Sequence, residues 1–302
     1  MDKEDKTGEN FRSGFISIIG RPNVGKSTLL NVIVGEKIAA VSDKPNTTRN
    51  RIVGIKNLPT AQLVFLDTPG IHRATGELGK AMVKTAMGSI GEADVILLMI
   101  DVDDPFRKGD RFVIENLPKP AVLLINKIDT IRKGKILGII EESQSFQGKF
   151  SDVIPISALK ADGIDDLINT ITKQLPYGPK YFPDEMITDQ PERLLVAELI
   201  REKIFNLTYE EIPYKTAVLV EEFQDLPEKN LVRISAVIYV ERENHKGIII
   251  GEKGKMLKRV GSLARVDIER ILSTRVYLEL WVKVEEMWTQ RWDLIKEFGY
   301  GS

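Results

Sequence analysis

The chain has 302 residues, 42% of them hydrophobic and 29% charged, with a formal net charge of −1 and no cysteine. That length suits two domains rather than one, and the absence of thiols excludes disulfides, a catalytic cysteine and thiolate metal sites. The near-neutral balance excludes a protein that coats nucleic acid over its whole surface, so any nucleic-acid site must be a local basic patch.

In chain order, residues 1–13, "MDKEDKTGENFRS", are a polar leader expected to be disordered, without the apolar core of a signal peptide. Apolar runs such as "VILLMI" (Val95–Ile100) are too short to span a bilayer, and a soluble, cytoplasmic protein is expected. "FISIIG" (Phe15–Gly20) reads as a buried strand and "KSTLLNVIVG" as a helix closed by Gly35. "RIVGIKNL" and "AQLVFLDT" suggest a strand hairpin, while "ADVILLMID", "AVLLINK" and "DVIPIS" are short continuous runs of the parallel-sheet kind. Helical stretches fall near Glu77–Ile90, Asp110–Asn116, Lys135–Phe146 and Asp165–Leu175. Residues 14–176 therefore read as a doubly wound α/β domain with a mixed, mostly parallel sheet.

The rhythm breaks at "LPYGPKYFPDEMITDQPER" (Leu175–Arg193), whose four prolines and one glycine predict an ordered linker, placed at 177–191. Residues 192–302 form a separate α+β module. It comprises a helix near 191–206, strands "KTAVLVEEF" and "LVRISAVIYVE", a "GEKG" turn, a long basic helix to about Leu272, a strand "RVYLELWVKV" and a final helical piece, "WTQRWDLIKEFG".

"GRPNVGKS" (Gly20, Arg21, Pro22, Asn23, Val24, Gly25, Lys26, Ser27), followed by Thr28, fits G-x-x-x-x-G-K-[ST] between a strand and a helix. Its backbone N–H groups and the helix N-terminus can wrap a phosphate. Lys26 would neutralise the β- and γ-phosphates, and Ser27 would offer a hydroxyl to Mg²⁺. "NKID" chooses the base. Asp129 can accept hydrogen bonds from guanine N1–H and N2–H₂, which adenine lacks. Asn126 would bind elsewhere on the base or tie loops together, and the Lys127 stem would cover a ring face. "SALK" (Ser157, Ala158, Leu159, Lys160) ends the next strand and offers N–H groups to the guanine oxygen. In "DTPG", Asp67 is placed for Mg²⁺ and the Gly70 N–H for a γ-phosphate. In "NTTRNR", one of Thr47 and Thr48 should reach Mg²⁺ in the triphosphate state, with Thr48 preferred; both segments would be ordered by the γ-phosphate.

Along the chain "GRPNVGKS", "NTTR", "DTPG", "NKID" and "SALK", in this order, resemble the TrmE–Era class of translation-factor-type GTPases, a Ras-like fold that hydrolyses GTP with Mg²⁺. Ile71 stands where Ras-like enzymes carry a water-orienting glutamine, which implies slow intrinsic hydrolysis. His72 is a tempting substitute, although an exposed switch histidine is the plainer reading. In several relatives of the class an asparagine at the place of Asn23 helps hold K⁺ beside the phosphates, which makes K⁺ the second candidate ion. The resemblance therefore assigns catalysis to Lys26, Asn23, Thr48 and Gly70, and Mg²⁺ to Ser27, Thr48 and Asp67.

"GEKG" (Gly251, Glu252, Lys253, Gly254) is a weak word alone. From His245 to Arg275, however, eight Lys/Arg stand against three Asp/Glu in a chain of net charge −1. The element order matches a type II KH domain, which clamps about four nucleotides of single strand with such a loop. Lys253 and Lys255 would meet phosphates, with Lys258 and Arg259 following on the basic helix, and Ile248, Ile249 and Ile250 would floor a groove for bases. His245 is a further candidate for RNA contact. Trp281 is expected in the core of its strand, and Trp288 and Trp292 are expected to pack four apart on one terminal helix.

A GTPase domain, a linker and a type II KH domain together resemble the bacterial Era family. That resemblance implies a monomeric GTP/GDP switch in small-subunit assembly, recognising the 3′ end of small-subunit ribosomal RNA. Some members also touch the cytoplasmic membrane peripherally, and nothing in the sequence independently shows an anchor. The alternative is a GTPase of the same class whose C-terminal module binds protein or a membrane surface instead of RNA.

Overall fold

The computed structural model describes residues 10–71 and 76–301. Its first element, β1 (Arg12–Gly20), begins inside the span expected as leader, because Arg12 and Ser13 already pair with Ala61 and Gln62; residues 1–9 lie outside the described residues. Next come α1 (Lys26–Val34), β2 (Ile52–Leu58), β3 (Ala61–Asp67), α2 (Gly76–Glu92), β4 (Val95–Asp101), α3 (Lys108–Glu115), β5 (Ala121–Asn126), α4 (Lys133–Ser143), β6 (Phe150–Pro155) and α5 (Ile164–Gln174). The six strands make one sheet in the order β2-β3-β1-β4-β5-β6, with β2 antiparallel to β3 and every other pair parallel. The central strands β4 and β5 are apolar and buried almost end to end, as strands covered on both faces must be. Parallel strands all end on one edge, so the loops after β1, β3, β5 and β6 gather there.

The linker holds no helix or strand between 178 and 190, yet it is fastened to the edge strand β2 and its neighbour. Ile55 N–H donates to the Ile187 carbonyl at 2.8 Å, and the Thr188 hydroxyl donates to the Val53 carbonyl at 2.6 Å. A strand edge that would otherwise invite pairing is thereby occupied.

The C-terminal part runs α6 (Glu192–Leu207), β7 (Thr216–Leu226), β8 (Leu231–Val240), α7 (Glu243–Ile250), α8 (Lys255–Leu272), β9 (Arg275–Val284) and α9 (Trp292–Glu297). Its sheet has the order β7-β8-β9, with the first pair antiparallel and the second parallel. Val260, Ala264 and Ile268, four apart on α8, lie buried against the sheet with Ile234, Ala236 and Ile238 of β8.

Two expectations for tryptophan fail. Trp281 is 60% exposed, because the alternation of β9 turns Val276 inward and places the odd-numbered positions outward. Trp288 and Trp292 do not share a helix: Trp288 sits in a 3₁₀ turn, Arg291 is extended, and α9 starts at Trp292. Trp288 is nonetheless fully buried, its indole N–H donating to the Lys215 carbonyl at 3.0 Å.

The division in space is not the contiguous one expected from sequence. Residues 10–35, 51–71 and 86–189 form one compact unit, while 36–50, 76–85 and 190–301 form the other. The segment between α1 and β2, and the first half of α2, thus belong with the C-terminal module. Leu78, Ala81 and Met82 share an apolar cluster with Trp288, Leu294, Ile295, Phe298 and Tyr300.

Candidate functional site

In the first unit, the turn from β1 into α1 is built for close approach. Gly25 has φ 105°, and a Cβ there would stand 2.3 Å from the Asn126 amide nitrogen, so the sequence has glycine. Asn23 also takes a left-handed conformation, at φ 64°. Lys26 is only 6% exposed; its ammonium donates to the carbonyls of Arg21 at 2.9 Å and Gly20 at 3.2 Å. Burial pushes its pKa down to about 8, against an upward pull from Asp67. The Ser27 hydroxyl donates to the Asp67 carboxylate at 2.6 Å, and Asp67 is fully buried. Gly70 lies against Pro22, with no room for a Cβ. Ile71 is buried in the apolar core, and its N–H donates to the Gly20 carbonyl at 3.1 Å. A side chain so placed cannot orient water; His72 lies outside the described residues.

A hydroxyl and a carboxylate converging beside a cationic phosphate loop are hard oxygen donors, the set that suits Mg²⁺. Among the described residues there is no group of three or more His, Asp or Glu that could hold a metal alone. Thr47 and Thr48 are both buried in segment 36–50, within the second unit.

The loops after β5 and β6 are joined to the turn after β1 through Asn126. Its amide donates to the Val24 carbonyl at 2.7 Å, and its oxygen accepts the Ala158 N–H at 2.9 Å. Of the two roles open to Asn126, tying loops is the one observed. The Ser157 hydroxyl donates to Asp129 at 2.6 Å and accepts the Lys160 N–H at 3.1 Å, which fixes the orientation of the carboxylate. Lys127, in left-handed conformation, pairs with Asp101 at 2.6 Å, while Leu159 is exposed.

In the second unit, α7 ends at Gly251 and α8 starts after Gly254, both at positive φ. The side chains of Glu252, Lys253, Lys255, Lys258 and Arg259 are exposed, which leaves a basic loop and helix start open to a polyanion. Of the three isoleucines, Ile248 is exposed, Ile250 half-buried and Ile249 fully buried in the module's core, so Ile249 is no part of a surface groove. The helical period turns that one residue inward. His245 is only 1% exposed, with Nε2 3.4 Å from Glu211, and is likewise a core residue rather than a contact.

The sequence reading missed Asp110 and Asp101. Asp110 is fully buried, and it accepts from the Arg21 guanidinium at 2.8 Å and from the Arg107 N–H at the start of α3. Burial raises its carboxyl pKa, with Arg21 pulling the other way. Arg21 occupies an unconstrained position of the motif, so spacing alone carried no signal for its partner.

Fold and site together define a P-loop GTPase with a guanine-reading loop, joined to a KH domain. Two family models agree: "50S ribosome-binding GTPase" matches residues 15–127 and "KH domain" matches residues 211–289. The chain is 52% identical to GTPase Era of Geotalea uraniireducens over 97% of this chain and 99% of that protein. It is 50% identical to GTPase Era of Syntrophus aciditrophicus over the whole of both. It also superposes, at TM-score 0.94 and 45% identity over 97% of this chain and 100% of the other, on an Era in complex with MgGDPNP and nucleotides 1506–1542 of 16S ribosomal RNA. A variant of Aquifex aeolicus Era bound to GDP·AlF4⁻ gives the same values. The chain belongs to the Era family of GTPases.

Proposed function

We propose that this chain is a GTP-switched RNA-binding protein that engages the 3′ end of small-subunit ribosomal RNA during assembly of the small subunit. The observation that carries this is one chain holding two distinct glycine loops at helix starts, one at Gly20–Ser27 with its lysine buried and an exposed basic one at Gly251–Gly254. The complex of an Era with MgGDPNP and 16S RNA supports the pairing of nucleotide and RNA. In functional terms the boundaries are a GTPase domain at 14–176, a linker at 177–191 and a KH domain at 192–302.

On this reading Lys26 and the loop N–H groups hold the β- and γ-phosphates, and Ser27, Asp67 and Thr48 hold Mg²⁺, which supplies positive charge where charge develops. The Gly70 N–H senses the γ-phosphate. Asp129 reads guanine, with the Leu159 N–H at its oxygen and Ala158 held beside it by its bond to Asn126. Gly251, Lys253, Gly254 and Lys255 clamp the RNA backbone, and Lys258 and Arg259 extend the clamp. Buried Ile71 supports a slow intrinsic rate. K⁺ beside Asn23 would supply the charge that an arginine finger gives elsewhere, so initial hydrolysis rates should be higher in K⁺ than in Na⁺ at matched ionic strength; equal rates remove that ion from the account.

The protein is expected to act as a monomer in the cytoplasm. A peripheral contact with the cytoplasmic membrane is also part of this reading; among the described residues no helix is long and apolar enough to cross a membrane. The test is ultraviolet crosslinking of the tagged protein in cells, with sequencing of the recovered RNA. Enrichment of the small-subunit rRNA 3′ end is expected. Recovery of no RNA would favour a C-terminal module that binds protein or lipid.

A further inference from the structure

Within the first unit, the loop between β1 and α1 is held from three directions. At its start the Gly20 carbonyl accepts the Ile71 N–H at 3.1 Å, and near its end the Val24 carbonyl accepts the Asn126 amide at 2.7 Å. Between them the hold is on a side chain. Arg21 reaches the first turn of α3, where its Nε donates to Asp110 at 2.8 Å and its Nη2 donates to the Asp104 carbonyl at 2.8 Å. Two bonds from one planar group, to a carboxylate and to a carbonyl, fix the plane of the guanidinium as well as its position.

The receiving turn is shaped for this side chain. Asp110 is fully buried, and its second oxygen accepts the Arg107 N–H at 3.2 Å, so the carboxylate is itself held by the start of α3. Gly109 leaves space for the arginine: a Cβ there would stand 2.9 Å from Arg21 Cδ. Phe106, just before the helix, takes a left-handed conformation at φ 54°, which a bulky residue rarely adopts. It is only 3% exposed, with its ring 5.0 Å from that of Phe146, so core packing holds the strained turn between Asp104 and Asp110. A buried ion pair often stabilises a fold no more than apolar residues of similar volume would. What it adds is direction. The Lys26 ammonium rests on the Arg21 carbonyl at 2.9 Å, and that carbonyl belongs to the residue whose side chain α3 holds.

We infer that Arg21 and Asp110 are a positioning pair for Lys26: α3, through Asp110, fixes the loop carbonyl on which the ammonium rests, and so sets affinity for nucleoside diphosphates and triphosphates together. This rests on the reading of Lys26 as the lysine that meets the β- and γ-phosphates. An ammonium already seated loses less freedom when phosphate arrives than one gathered in from solvent. GDP and GTP both carry the β-phosphate, so both depend on the pair.

The test uses the full chain with Mg²⁺ and fluorescent GDP and GDPNP. The double variant Arg21→Ala/Asp110→Asn removes the pair without leaving a buried charge unmatched, and asparagine keeps an acceptor for the Arg107 N–H. Both affinities should fall by the same factor, about three- to tenfold, the worth of one hydrogen bond. Gly109→Ala should act alike from the other side, its methyl displacing Arg21. Added to the double variant, the same methyl has no arginine to displace and should change neither affinity further. Arg21→Lys keeps a cation for Asp110 but cannot also span to the Asp104 carbonyl, so it should fall between the parent and the double variant. A merely structural pair would lower the melting temperature and leave both affinities within about twofold, and that result overturns the proposal. So does a Gly109→Ala loss of equal size with and without Arg21. If the double variant fails to fold, Gly109→Ala and Arg21→Lys decide: lowered affinities support the pair, and unchanged ones overturn it. Lys26→Ala separates the two failures. If it leaves both affinities unchanged, the phosphate reading of Lys26 falls and takes this inference with it. If it weakens both while the pair variants do not, only the inference falls.

Discussion

The two phosphate loops solve opposite problems. At Gly20–Ser27 the loop is folded against its surroundings: Gly25 lies against Asn126, Lys26 is folded back on two loop carbonyls, and Asp67 closes on Ser27. At Gly254 a Cβ would meet nothing within 4 Å, and the neighbouring lysines stand in solvent. A small ligand that must be surrounded is served by a closed, preorganised cradle. A polymer that must enter sideways is served by an open one. The same punctuation, glycines at a helix start, thus yields a tightly packed loop in one region and an open, basic one in the other. Packing decides which.

Lys26→Ala breaks the closed loop most severely. Losing one partner of a buried charged contact costs about 2–5 kcal/mol, so GTP and GDP binding should weaken at least roughly 30-fold. RNA binding by the free protein should survive, and fluorescence titrations of both ligands check this. Gly254→Asp makes the reciprocal break. Aspartate tolerates a left-handed backbone such as φ 76°, and its side chain has open space, so the variant should fold. A carboxylate facing phosphates should cost RNA about tenfold or more while nucleotide affinity holds; normal RNA affinity would mean that the clamp lies elsewhere.

The smallest effect is a pH dependence confined to the closed loop. The Lys26 pKa of about 8 lies below the ordinary lysine value of 10.5. Between those values the unfolded chain binds more protons, so this group's contribution to stability rises with pH across that window. Phosphates favour the charged amine, so nucleotide binding should take up a proton and weaken as pH rises past about 8. Calorimetry in two buffers of different ionisation enthalpy would show the uptake, and RNA binding at Gly251–Gly254 should not share it.

Much of this was legible because the chemistry of phosphate and guanine recognition fixes residue types at short spacings. "GRPNVGKS", "DTPG" and "NKID" each end or follow a strand, and the parallel sheet brings them to one edge. The elements followed from hydrophobic period, to within a few residues at their ends. The placement of Trp281 outside the core was also readable, since it shares the outward face of β9 with Arg275, Tyr277 and Lys283. Other features were not legible, because they join residues far apart in sequence through groups that many sequences could supply. The Arg21–Asp110 pair is one, spanning 89 positions, and the capture of Arg49 by carbonyls at 213–216 is another. Backbone carbonyls carry no sequence signature. A buried arginine that ends on them looks, in sequence, like any surface cation.

The measurement that bears most directly on the central claim is a titration of a labelled oligonucleotide copying the small-subunit rRNA 3′ end against the full chain, loaded first with Mg-GDPNP and then with GDP. Two loops sharing one switch predict tight binding with GDPNP and at least about tenfold weaker binding with GDP, a coupling near 1.4 kcal/mol. Equal affinity in the two states would contradict the account, leaving two phosphate sites in one chain without a common switch.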